Sequence, residues 1–135
     1  MENKRAHLQM IQAVVNRMSG NSFLLKGWSV VLVSALFALS AASSQKLSIY
    51  LSFFPAIVFW MLDGYFLWQE KLFRKLYDRV RHLEKSQIDF AMDTAVIQGE
   101  VDKWSRVVFS KTLIIFHGTV VGLIAFAMLV LIFFY

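Results

Sequence analysis

Three apolar runs, Phe23–Ala42, Leu47–Leu67 and Thr112–Tyr135, leave this chain few folds to choose from. Each meets the roughly 20 residues that a helix needs to cross a hydrocarbon core of about 30 Å. In lipid every backbone N–H and C=O must be satisfied within its own segment, so runs of this length read as helices. With 58% of the 135 residues hydrophobic, the chain is too apolar for a soluble domain of its size. Outside the runs lie a 22-residue head, a tight turn at Ala42–Lys46 and the polar segment Trp68–Lys111. Pieces this short are marginal as independent cores, since domains of about 40–60 residues already bury little of their surface. The expected fold is an all-α membrane protein: three transmembrane helices, with a cytosolic helical hairpin extending spans two and three. Its parts are an amphipathic N-terminal helix at 1–20, spans at 23–42, 47–67 and 112–135, and the hairpin at 68–111.

In the head, Leu8, Ile11, Val14, Val15 and Met18 share one helical stripe, with Lys4, Arg5, Gln9, Gln12, Asn16 and Arg17 facing away. That helix either lies flat on the inner leaflet or packs against the other cytosolic helices. Gly20-Asn21-Ser22 predicts a break, with Ser22 capping the first span. Ala38-Leu39-Ser40 resembles a signal-peptidase site, but the head is longer and more patterned than a basic n-region, so the run reads as a retained span. Along that span Ser34, Ala38 and Ala42 recur at spacing four, a small-residue ladder of the kind that lets helices approach closely in lipid. The tight turn makes spans one and two an antiparallel hairpin. Pro55, the only proline, lacks an N–H and predicts a kink in span two.

No Gly or Pro marks the end of span two, so one helix is expected from Leu47 to Gln87, about 60 Å at 1.5 Å per residue. Leu72, Leu76, Val80 and Leu83 form its apolar seam, for a helix of this or another copy. Lys71, Arg74, Lys75, Arg79 and Arg81 offer a face to a cytosolic protein partner or to lipid headgroups. Glu70, Asp78 and Glu84 nearly balance it, so nucleic acid is not the expected partner. Ser86–Glu100 is the expected reversal, after which Val101, Trp104, Val107 and Val108 begin a helix running into span three. The basic residues set orientation. Lys4, Arg5 and Arg17 in the head and nine in the long loop stand against Lys46 alone in the turn, which predicts a cytosolic N-terminus and an external C-terminus.

Three ionisable residues fall inside the spans at similar depth: Lys26, Asp63 and His117. A charge facing lipid costs about 3 kcal/mol on insertion scales, so such groups turn toward protein or water. One reading is a clasp, with Lys26 and Asp63 paired across the hairpin and His117 beside them. The other is a polar constriction or gate in an assembled pore. Proton-coupled transport would use the same residues, but three spans are few for alternating access. Gly118 and Gly122 form a G-x-x-x-G pair for helix packing, either against span one or against another copy.

Parts for catalysis are missing. His7, His82 and His117 show no metal-ligand spacing. Arg79 and His82 lack the spacing of an RNA-cleaving HEPN motif. There is no glycine-rich phosphate loop and no cysteine. No enzyme, cofactor or metal is expected.

The stretches NSFLLKGWSVVLVSALFA at 21–38 and FWMLDGYFLWQEKLFRKLYDRVR at 59–81 resemble a group of small, uncharacterised bacterial multi-span membrane proteins. The layout of a membrane hairpin followed by cytosolic helices is similar to that of SLATT-type membrane effectors of antiviral defence systems, from which the third span departs. That resemblance implies an effector that oligomerises in the bacterial inner membrane and compromises the bilayer. The functional expectation is therefore a self-associating, pore-forming or membrane-perturbing protein. The alternative is a non-catalytic anchor or scaffold subunit of a larger complex.

Overall fold

The computed structural model describes residues 1–44 and 46–135, and Gln45, within the expected turn, lies outside the described residues. The fold is helical, with no strand among the described residues. Its helices are α1 (Glu2–Ser43), α2 (Leu47–Leu51), α3 (Phe53–Arg81), α4 (Trp104–Val108) and α5 (Lys111–Phe134). Three stretches are long and apolar enough to cross a membrane: within α1, along α2–α3, and α5.

The expected break at Gly20-Asn21-Ser22 is absent, and α1 runs unbroken for 42 residues. The periodicity of its buried face accounts for this. His7, Met18, Ser29 and Ser40 are eleven residues apart, as are Ile11, Ser22 and Val33, and as are Val15, Lys26 and Phe37; all are buried or half-buried. An eleven-residue repeat is 3.67 residues per turn, close to a straight helix, so one stripe stays on one side from end to end. Ser22 therefore sits inside the helix and no longer serves as its cap. The helix ends at Ser44, whose left-handed backbone (φ 56°) closes the last turn.

Against that stripe α3 lies antiparallel. Ile11 and Val15 meet Leu72, Leu76 and Val80 at one end, and Val33 meets Ile49, Ala56 and Ile124 at the other. The apolar stripe of the head packs on α3, with Ile11 0% exposed in the core it shares with Leu72 and Ile97. Between α2 and α3 the helix is interrupted at Ser52, one turn before Pro55, whose missing N–H leaves the Leu51 carbonyl without its helical partner. The Ser52 hydroxyl donates to the Ile49 carbonyl at 2.5 Å within the same turn.

The second arm of the expected hairpin is not a helix. α3 stops at Arg81 instead of Gln87, and residues 82–103 form a loop with 3-10 turns at Lys85–Gln87 and Ala95–Glu100. Asp89 and Asp93 explain the change. Their carboxylates take the backbone N–H groups of Ala91 (3.0 Å) and Ala95 (2.9 Å), local bonds that compete with a helical ladder. The loop folds back over the end of the bundle. Lys4 Nζ donates to the Leu83 carbonyl at 2.9 Å, His7 Nε2 to the Ala91 carbonyl at 2.9 Å, and Ile97 is buried with Ile11 and Leu72. The helix begun at Trp104 lasts five residues, and the extended backbone at Ser110 (ψ 153°) separates it from α5.

Candidate functional site

The buried stripe of α1 brings Ser22 and Lys26, one turn apart, against α3 at Asp63, and α5 closes the third side with His117. Asp63 is 0% and His117 1% exposed. Oδ2 of Asp63 accepts from Lys26 Nζ at 2.6 Å and from His117 Nε2 at 2.7 Å. Oδ1 accepts from the Ser22 hydroxyl, which itself accepts from Lys26 Nζ at 2.8 Å. Every strong acceptor of the carboxylate is used, as burial requires. The structure therefore gathers Lys26, Asp63 and His117 into one cluster and adds Ser22.

An aromatic shell surrounds it. The Trp60 ring stacks on His117 with centroids 5.9 Å apart and planes 8° from parallel. Phe116 meets the same imidazole edge-on at 5.0 Å, and Lys26 Nζ lies 5.9 Å from the Phe116 centroid. Trp60 Nε1 donates to the Val108 carbonyl at 2.8 Å, which ties the shell to α4. The contact is close because residue 64 is glycine: a Cβ there would stand 2.4 Å from Val108 Cγ2 and 3.1 Å from Val108 Cα. Ser22, Trp60, Gly64 and Val108 were not singled out by the sequence for these roles. The signal for Ser22 was its position four residues before Lys26; for Gly64 it was adjacency to the one acid in the span.

One turn beyond Lys26 along α1, Ser29 is 0% exposed and its hydroxyl has no partner. Beyond it Val33, Ile49, Ala56 and Ile124 form an apolar layer with Phe37, Phe53 and Val120.

The packing residues lie elsewhere. Ser34, Ala38 and Ala42 are exposed on the side of α1 turned away from α3 and α5. The G-x-x-x-G pair does not pack on span one: nothing lies within 4 Å of a Cβ at Gly122, and only Ile114 Cγ2, at 3.7 Å, near one at Gly118. Of the expected basic face, Lys71, Arg74, Lys75, Arg79 and Arg81 are all exposed. Arg74 pairs with Glu70 at 2.8 Å, Lys75 with Glu100 at 3.6 Å and Arg81 with Asp78 at 3.5 Å. Lys71 and Arg79 have no acid within 4 Å among the described residues.

No family model, curated protein or solved structure matches this chain.

Proposed function

We propose that this is a multi-pass protein of the bacterial inner membrane, with a cytosolic N-terminus and 82–103 loop and an external C-terminus. It self-associates there and permeabilises the bilayer, in the manner of a membrane effector of antiviral defence. The observation that carries the reading is a division of labour between faces. The charged groups of the spans are spent inside the protomer on one another, while the small residues Ser34, Ala38, Ala42 and Gly122 face outward. With an apolar layer closing the single bundle, any conducting path runs between copies. Close approach of copies in lipid depends on small residues, because packing there replaces the hydrophobic drive. Orientation rests on the excess of basic residues in the head and loop over Lys46 in the turn.

The test is membrane potential in cells induced to make the protein, compared with Ala38→Leu and Gly122→Leu. The reading expects wild type to depolarise the cells and both variants to insert normally but leak less. Well-inserted wild type that leaves the potential intact overturns it. The second reading, an anchor for a larger complex, draws on Lys71 and Arg79, exposed cations left free for an acidic partner. It expects intact potential and a co-purifying protein lost in Lys71→Glu with Arg79→Glu.

A further inference from the structure

Between α3 and α4 lies a cleft of about 300 Å³ whose exposed lining is wholly apolar. Ile57, Trp60 and Met61 form one wall, and Trp104, Ser105 and Phe109 the other. Both indoles have given their N–H groups to backbone, Trp60 to Val108 at 2.8 Å and Trp104 to Met61 at 3.4 Å. They therefore present only ring surface to the cleft. The walls are fixed by the Gly64–Val108 contact, so the cleft is part of the packed structure. Ile57 and Met61 nonetheless remain about half exposed, at 47% and 46%.

We infer that this cleft binds one acyl chain of an anionic phospholipid drawn from the surrounding bilayer. Two observations select that occupant. First, Ile57–Met61 belongs to the apolar stretch of α2–α3, so the mouth opens where lipid chains are the available apolar molecules. Second, the charge around α4 is one-sided. Lys103 precedes it, Arg106 lies on it and Lys111 opens α5, all exposed, against Asp102, which Arg106 faces at 3.5 Å, and Glu100, which Lys75 of α3 faces at 3.6 Å. Lys103 and Lys111 have no acid within 4 Å among the described residues. A chain seated between the two tryptophans places its headgroup at these lysines, and basic residues near a membrane surface attract anionic lipid. Aromatic walls suit the task, because with their N–H groups bonded to backbone the two indoles offer broad apolar faces to an acyl chain. The site gives α4, only five residues long, a membrane-anchoring role.

The inference rests on the three long helices being membrane-embedded, which the experiment checks separately. The protein is reconstituted in vesicles of equal phosphatidylglycerol and phosphatidylcholine, floated on a density gradient, extracted in mild detergent and examined by native mass spectrometry. A chain that fails to float removes the membrane reading itself. A floating wild type is expected to retain one phosphatidylglycerol per chain. Ser105→Phe and Ile57→Trp, which fill the cleft from opposite walls, are expected to float but retain about tenfold less. Lys103→Gln with Lys111→Gln is expected to retain one lipid without headgroup preference. A floating wild type that carries no phospholipid, or filling variants that retain as much as wild type, overturns the site. A readout with the cleft intact stands beside these. In a Trp28→Phe, Trp68→Phe background, a minority of brominated-chain phosphatidylglycerol is expected to quench Trp60 and Trp104 more than the same fraction of brominated phosphatidylcholine. Equal quenching overturns the headgroup preference on which the choice of occupant depends.

Discussion

His117 and Asp63 meet across the α3–α5 interface, Nε2 donating to Oδ2 at 2.7 Å, with both side chains sealed from solvent. The same oxygen holds Lys26 from α1, so one carboxylate joins all three long helices. Its removal takes the acceptor from three donors at once, Lys26, His117 and Ser22. Asp63→Leu is expected to cost about 3–5 kcal/mol, the usual penalty for leaving a buried partner uncompensated. Lys26→Leu leaves Asp63 still bonded to Ser22 and His117 and is expected to cost about 1–3 kcal/mol. Lys26 is 22% exposed at its side chain, so in Asp63→Leu it can turn its ammonium outward and recover part of that cost; the predicted difference rests on His117 Nε2 and the Ser22 hydroxyl, both buried and left without their acceptor. Denaturation midpoints in detergent measure the difference, and equal losses would contradict this account of the cluster.

Gly64 tests how tightly α4 is pressed to α3. In Gly64→Ala the new methyl lands on Val108 and must displace helix backbone as well as a side chain. Overfilling of this kind costs about 1–3 kcal/mol. Adding Val108→Ala removes the nearest clash and is expected to restore part of the lost midpoint. If the single variant melts like wild type, the two helices are not in close contact.

The hydropathy pattern was enough to locate three long helices and to place Lys26, Asp63 and His117 at a common depth. It could not place the helix ends. Gly20-Asn21-Ser22 reads locally as a break, yet the eleven-residue stripe that overrides it becomes visible only when the head and the first span are counted as one element. Asp89 and Asp93 lie within the expected reversal Ser86–Glu100, but their bonds to Ala91 and Ala95 extend the turn into a loop that replaces a whole helical arm. Within the chain, a Cβ at Gly122 would meet nothing within 4 Å and one at Gly118 only Ile114, while the close contact falls on Gly64, whose partner Val108 is distant in sequence.

Substitution on the outward faces separates protomer stability from association. Ala38→Leu and Gly122→Leu add bulk where the protomer has room, so each is expected to shift the thermal midpoint in detergent by no more than surface substitutions do, about 0.5 kcal/mol. Self-association through these faces requires the same variants to sediment as smaller species than wild type. A large drop in midpoint would mean that they pack within the chain after all. Unchanged midpoint and unchanged size would leave these faces with no packing role.

Ile11 and Leu72 decide whether α1 is one structural element or two placed end to end. Both are buried, at 0% and 1% exposure, in the core that the head shares with α3 and with Ile97 of the loop. Ile11→Ala opens a cavity there and is expected to cost about 2–5 kcal/mol. The Asp63 cluster and the apolar layer around Val33 share no side chain with this core. The loss is therefore expected to stay local: amide exchange should rise over residues 2–18, 72–81 and 91–101 while α5 and the apolar half of α1 remain protected. Gln12→Ala, at an exposed position of the same helix, should leave exchange unchanged. If Ile11→Ala speeds exchange along α5 as strongly as in the head, the bundle opens as a single cooperative unit, and the stripe of α1 couples its two ends more tightly than two separate cores would.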